Sequence, residues 1–181
     1  KKNKINSITL RALVETYLAV KRTRNNLPLK DSTKDDYRRA MRETWLDYLD
    51  KPANALTERA VRRRYEKRRD ASPARTDLAH RALKAVFNWA ISSGEYEDVI
   101  TDNPTGIIER GQGFRVVIEA RDSYLDERQI PAWWRAVHGL RNTVARDYLL
   151  FLFFCGTRRT ETAKLDWQAI DFAAGTFTLH D

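Results

Sequence analysis

Apolar residues recur along this chain at helical spacing far more often than they alternate. Leu10, Leu13, Val14, Tyr17 and Leu18 stand at i, i+3, i+4, i+7 and i+8, one stripe of an amphipathic helix over residues 9–24. A second helix is expected from DSTKDDYRRAMRETW, with Ser32 as N-cap and Asp35 three residues later in capping-box position. Its core stripe is Tyr37, Ala40, Met41, Thr44 and Trp45. A third starts at Thr57, where Leu56 before the cap and Val61 beyond it form a hydrophobic staple. Its stretch RAVRRRYEKRR spreads Arg59, Arg62, Arg63, Arg64, Lys67, Arg68 and Arg69 around most of the circumference. Only a narrow seam of Val61 and Tyr65 remains, so this helix is expected at the periphery.

The fourth helix has Ser72 as cap, Pro73 at the first helical position and Gly94 past its end. Leu78, Ala82, Val86, Trp89 and Ala90 are its expected buried face. Asp77, Arg81, Lys84 and Asn88 line another, about 40° wide. Beyond the turn-rich TDNPTG at 101–106, the segment GIIERGQGFRVVIEARD reads as a linker with a short extended run at Val116–Ile118. Asp126, with Gln129 three residues on, caps a fifth helix; a sixth covers about 143–155 and a seventh follows Gly156. FAAGTFTL reads as a turn into a strand. These elements divide the chain into a compact helical domain (1–105), a linker (106–122) and the start of a mixed α/β domain (123–181).

Composition narrows the function classes. The chain has 181 residues, 42% hydrophobic and 32% charged, enough for real cores in a soluble protein. Its longest apolar run is eight residues (148–155), short of the ~20 that a membrane-spanning helix needs. Cys155 is the single cysteine, which excludes an internal disulfide and points to a reducing compartment. Its place in the apolar run predicts a buried small hydrophobe. The net charge of +8 is unevenly placed: residues 1–110 hold 24 Lys+Arg against 16 Asp+Glu, and residues 111–181 hold nine of each. A basic module joined to a neutral one suits a nucleic-acid binder, and suits equally a solvated basic surface. The sequence opens on Lys1, its only methionine is Met41, and GTFTLHD alternates like an unpartnered strand, so a piece of a longer protein is expected.

Familiar enzyme signatures are absent: there is no GxxxxGK, GxGxxG, HExxH or CxxC. His80, His138 and His180 are far apart and read as surface or packing residues, so neither a metal nor a cofactor is expected. One stretch stands out, CGTRRTETAKLDW at 155–167, which sets Arg158 and Arg159 at a predicted helix N-terminus. The helix dipole disfavours cations there. The pair makes sense if an anion occupies the site, since backbone N–H groups converge and a guanidinium grips two oxygens at once. It also makes sense as an exposed pair with Glu161 at i+3.

The same stretch resembles the tyrosine recombinases, or phage-type integrases. Their catalytic domain carries an apolar helix, then T-G-x-R-x-x-E-x-x-x-L-x-W, D-I-D and a G-T hairpin strand. In CGTRRTETAKLDWQAIDFAAGTFTL, Gly156, Arg158, Glu161, Leu165, Trp167, Ile170, Asp171 and Gly175 match in spacing, with Cys155 in place of the threonine. STKDDYRRAM, AVFNWAISSGEYEDVITDNP and YLDERQIPAWW resemble the family's core-binding domain and the entry to its catalytic domain, so the likeness spans roughly residues 8–181.

The resemblance implies a mainly α chain: a four-helix SAM-like core-binding domain followed by the N-terminal part of a mixed α/β catalytic domain. It implies that Arg158 contacts a scissile phosphate and that Glu161 supports it. Double-stranded DNA is the implied partner, met by Lys34, Arg38, Arg39, Arg42, Arg75, Arg81, Lys84 and Asn88 of the first domain. The implied reaction is metal-free transesterification through a phosphotyrosine. All seven tyrosines precede Arg158, so the nucleophile is expected outside this chain and the chain alone is expected to be inactive. A homo-tetramer on DNA, no membrane association and a bacterial or phage-infected cytoplasm are implied for the parent. The alternative reading is a non-catalytic DNA-binding regulator or a decayed prophage integrase that binds without cutting.

Overall fold

The computed structural model describes residues 7–111, 115–118 and 123–179. The chain divides into two compact units, Lys1–Ala120 and Arg121–Asp181. The first is built from α1 (Leu10–Val20), α2 (Asp31–Leu49), α3 (Glu58–Arg69), α4 (Pro73–Ser93) and the short α5 (Gly106–Arg110), with a 3₁₀ turn at Ala53–Ala55. The second holds α6 (Ile130–His138), α7 (Thr143–Cys155), α8 (Arg159–Ala163), a 3₁₀ turn at Trp167–Ala169, and the strands β1 (Ile170–Asp171) and β2 (Thr176–Phe177). The described chain is mainly helical, and no helix in it is long and apolar enough to cross a membrane.

In the first unit the predicted stripe of α1 is the inner face, all five residues being buried. Thr9 caps the helix through its hydroxyl, which accepts from Ala12 N at 3.2 Å. The chain ahead of α1 is pinned to the loop after α2 by Leu10 N to Lys51 O (3.0 Å) and Ala53 N to Ile8 O (2.8 Å). Tyr17 joins three helices, stacking on Tyr37 of α2 and meeting Trp89 of α4 edge-on, with centroids 6.4 and 5.8 Å apart. Burial pushes its hydroxyl up to about 12. The α3 staple forms as expected: Leu56 and Val61 are buried, and Thr57 Oγ1 accepts from Ala60 N at 3.3 Å.

Several expectations are corrected. Ser32 is not a cap: α2 begins at Asp31 behind Lys30, which offers no side-chain cap, and Ser32 lies inside the helix. On α4, Leu78 is only half-buried, whereas Thr76, Asp77, Ala79, His80, Leu83 and Phe87 join Ala82, Val86 and Ala90 inside. This helix packs against α1, α2 and α3, so its covered arc is wider than a single stripe and takes in polar positions. Asp77, expected on an exposed row, is buried with Arg81 Nε 2.7 Å and Arg115 Nε 3.3 Å from its carboxylate. The expected linker opens instead with α5, whose Ile108 lies in the core of the first unit. Within the same segment Val116 N donates to Tyr65 Oη at 2.9 Å, and residues 116–118 form no strand.

The second unit is thinner. Val137 is its only buried residue among those described. Trp133 of α6 stacks on Phe153 of α7 at 4.6 Å, and Phe151 meets Phe177 of β2 at 5.2 Å. Phe154 remains 67% exposed, and Cys155 is exposed rather than buried. Both stand at the C-terminal end of α7, where Cys155 is the last helical residue before the Gly156 cap. The hairpin pairs Ile170 with Phe177 and Asp171 with Thr176. Asp171 Oδ1 accepts from Ala173 N and Ala174 N, and Gly175 takes the left-handed φ of 63° that closes the turn.

Candidate nucleic-acid interface

Arg158 is presented by two neighbouring turns. α7 ends at Gly156, whose φ of 62° lies in the region that favours glycine, with its N–H bonded to Leu152 O at 3.0 Å. The chain then extends through Thr157 to Arg158, which is the N-cap of α8 rather than a residue of its first turn. Tyr148 Oη donates to Arg159 O at 2.7 Å and fastens α8 to α7.

Glu161, three residues on, resolves the electrostatic conflict at this helix start. Its Oε2 accepts from Arg158 N at 2.7 Å, and its Oε1 lies 2.5 Å from Arg158 Nη1. The carboxylate therefore offsets the cation and braces the guanidinium at once. The backbone donor first, and the guanidinium second, hold the Glu161 carboxyl below the ordinary glutamate value. The Arg158 side chain stays 84% exposed, against 20% for Glu161. The result is an accessible fork on a fixed base; Arg159, beside it, is also exposed.

The residues nominated in the first unit fall into distinct settings. Lys34 pairs with Asp31 at 3.1 Å, and Arg38 grips Glu15 of α1 through Nε and Nη2 while reaching Asp35 through Nη1. The Arg38 guanidinium depresses the Glu15 carboxyl in return. Arg75 reaches Glu43 at 3.2 Å, Arg81 the buried Asp77, and Lys84 Glu109 of α5 at 2.5 Å. Asn88 accepts from Asn103 Nδ2 at 2.6 Å through its Oδ1. Arg39 and Arg42 are exposed and form no ion pair among the described residues. The α4 row thus has an acid buried at its start, while Arg81 and Asn88 are exposed and Lys84 is half-buried.

The pairings of Arg38 with Glu15, Arg75 with Glu43 and Lys84 with Glu109 were not legible in the sequence, because those partners lie on other helices; Glu15 and Arg38 are 23 residues apart. Sequence reasoning also passed over a depression on α3 lined by Arg63, Arg64, Lys67 and Arg68. The signal was present in the arginine run, but not the information that two of its members are fixed by α2. Of the histidines, His80 is buried, its Nε2 donating to Thr105 O (3.3 Å), and desolvation lowers its pKa; His138 Nδ1 lies 3.0 Å from Trp134 O. His180 is outside the described residues.

The chain is 28% identical over 133 residues to the prophage integrase IntF of Escherichia coli strain K12. That alignment takes in 74% of this chain and 28% of the integrase, so the chain matches under a third of that relative's length. No protein-family profile matches the chain, and no solved structure matches it. The likeness to a phage integrase is carried by this match over 133 residues.

Proposed function

We propose that this chain is the DNA-binding part of a site-specific tyrosine recombinase that integrates or excises phage or mobile-element DNA. The observation that carries the reading is the Arg158 guanidinium, exposed and braced at its base by Glu161. In the proposed reaction a tyrosine oxygen, from outside these 181 residues, attacks a backbone phosphorus. A tyrosyl phosphodiester forms as the bond to a sugar oxygen breaks, and a sugar hydroxyl of the partner strand later reverses the step. Charge grows on the non-bridging oxygens as attack proceeds. A guanidinium already in place stabilises that charge more than it stabilises the ground state. Phosphoryl transfer asks a protein chiefly for such positioning and electrostatics.

The seven tyrosines present suit other work. Tyr17, Tyr65 and Tyr96 are buried, Tyr37 and Tyr48 pack on the core, and Tyr148 fastens α8. Tyr124 is exposed but stands 34 residues before Arg158.

In the first unit, Arg39 and Arg42 form no ion pair among the described residues and offer their charge to phosphates, the Arg42 charge acting also on Glu15. Lys34, Arg75 and Lys84 exchange a carboxylate for a phosphate at small cost, since exposed ion pairs are worth about 0–1 kcal/mol, whereas Arg81 would leave the buried Asp77 to Arg115 alone and exchanges less readily. Arg38, held by two carboxylates, exchanges least readily. Asn88 spends its oxygen on Asn103, leaving its amide N–H groups for a base edge or a phosphate. The test is duplex binding by this chain, followed by fluorescence anisotropy as salt is raised from 50 to 200 mM. With four phosphate contacts, affinity should fall on the order of a hundred-fold. Unchanged affinity would remove DNA as the partner.

A further inference from the structure

The basic run of α3 has no part in the reading above, yet it is not a uniform wet face. Arg62 pairs with Glu66 at 3.1 Å and Arg69 with Asp70 at 3.4 Å. Arg64 and Arg68 turn toward α2, where the helix is kinked at Trp45 (φ −124°, ψ 22°). Arg64 donates to Thr44 O at 2.9 Å and to Asp47 Oδ2 at 2.6 Å, with its guanidinium over the Trp45 ring. Arg68 donates from Nη1 to Glu43 O at 2.9 Å, while its Nε is buried without a hydrogen-bond partner among the described residues. Both guanidiniums are thus immobilised at the kink. Arg63 and Lys67 stand beside them, exposed and one turn apart, with no acid in ion-pair reach among the described residues. These four side chains line one open depression.

Packing accounts for Arg64 and Arg68 but not for Arg63 and Lys67. Like charges at i, i+4 cost a helix a few tenths of a kcal/mol per pair, and here two such pairs lie side by side with Asp47 as the only acid bonded to them. An anion in the depression removes that repulsion. Its shape indicates which anion. All four side chains come from one helix and the depression is open, which suits a continuous strand of singly charged phosphates running along α3 better than one enclosed phosphate group. Arg63 and Lys67 are separated by about 6 Å along the helix axis, four residues of rise, so each can meet a different phosphate.

We infer that Arg63, Arg64, Lys67 and Arg68 form a second phosphate-backbone contact for duplex DNA, additional to the cations of α2 and α4 and blind to base sequence. This rests on the DNA-binding reading given above. The test uses the 181-residue chain and two labelled duplexes of about 30 base pairs with unrelated sequences. Arg63→Ala with Lys67→Ala leaves the α2 contacts of Arg64 and Arg68 intact and removes the repulsion between Arg63 and Lys67, so the melting temperature should not fall. Binding to both duplexes should weaken about ten-fold, and the slope of log affinity against log salt should fall by about two, one per lost phosphate contact. Arg63→Glu with Lys67→Glu should weaken binding further. If the wild-type chain binds and these variants match it in affinity and slope, the α3 site is overturned and the wider reading stands. Loss on one duplex only would mean base readout and overturn the backbone assignment. A wild-type chain that binds neither duplex overturns both.

Discussion

Glu161 is bound to Arg158 at both ends of that residue, the backbone nitrogen and the guanidinium. Both bonds favour its charged form, so its folded pKa lies below the ordinary value of 4.5. The sign follows: the stabilisation is present above 4.5 and is lost as pH falls through the lower folded value. A carboxyl-detected NMR titration should place the Glu161 midpoint below 4.5 and Arg158→Ala should raise it toward the ordinary value. A wild-type midpoint at 4.5 would mean that the brace does not persist in solution. At this scale two options for Arg158 are legible in the sequence, an anion site or a pair with Glu161. The structure shows the pair, which takes the terminal nitrogen Nη1 while the side chain stays exposed. Glu161 is in this sense a positioning residue.

Among the elements, the signals that were legible in the sequence are those fixed by neighbours along the chain. The α1 stripe, the Leu56–Val61 staple, Pro73 at the start of α4 and Gly94 and Gly156 after helices depend on local spacing and backbone geometry. What was not legible depends on partners from elsewhere. The inward turn of Asp77 and His80 follows from packing on three sides of α4, and the hold on Arg38 follows from α1. Ser32 fits the cap pattern but lies inside α2, so pattern alone misplaced that helix start by two residues. Caps provide a sharp test of the difference. Thr57→Ala removes a hydroxyl that accepts from Ala60 N and should cost about 1 kcal/mol in urea unfolding. Ser72 makes no such bond, so Ser72→Ala should cost a few tenths at most. Equal effects would mean that capping is not what fixes these two boundaries.

For the whole molecule, the excess of positive charge belongs to residues 1–110, but the structure divides it into working and committed portions. Arg11, Arg38, Arg75, Arg81 and Lys84 tie helices to one another or to their own acids. Arg39, Arg42, Arg63 and Lys67 do not, and they are where an external polyanion gains most. Net charge by itself left a solvated surface and a nucleic-acid surface equally open; the cations with no ion pair among the described residues, with the likeness to a prophage integrase over 74% of the chain, favour the second.

The account depends most on Arg158 acting on the phosphate while DNA breaks. In a longer protein that supplies the proposed tyrosine, Arg158→Ala should reduce the rate of covalent protein–DNA complex formation by at least 10²–10³-fold, the usual cost of losing one preorganised donor. Duplex affinity should change by less than about three-fold, a loss well under 1 kcal/mol. An equal loss of rate and affinity would make Arg158 a binding residue only, and an unchanged rate would contradict its assignment to the reacting phosphate.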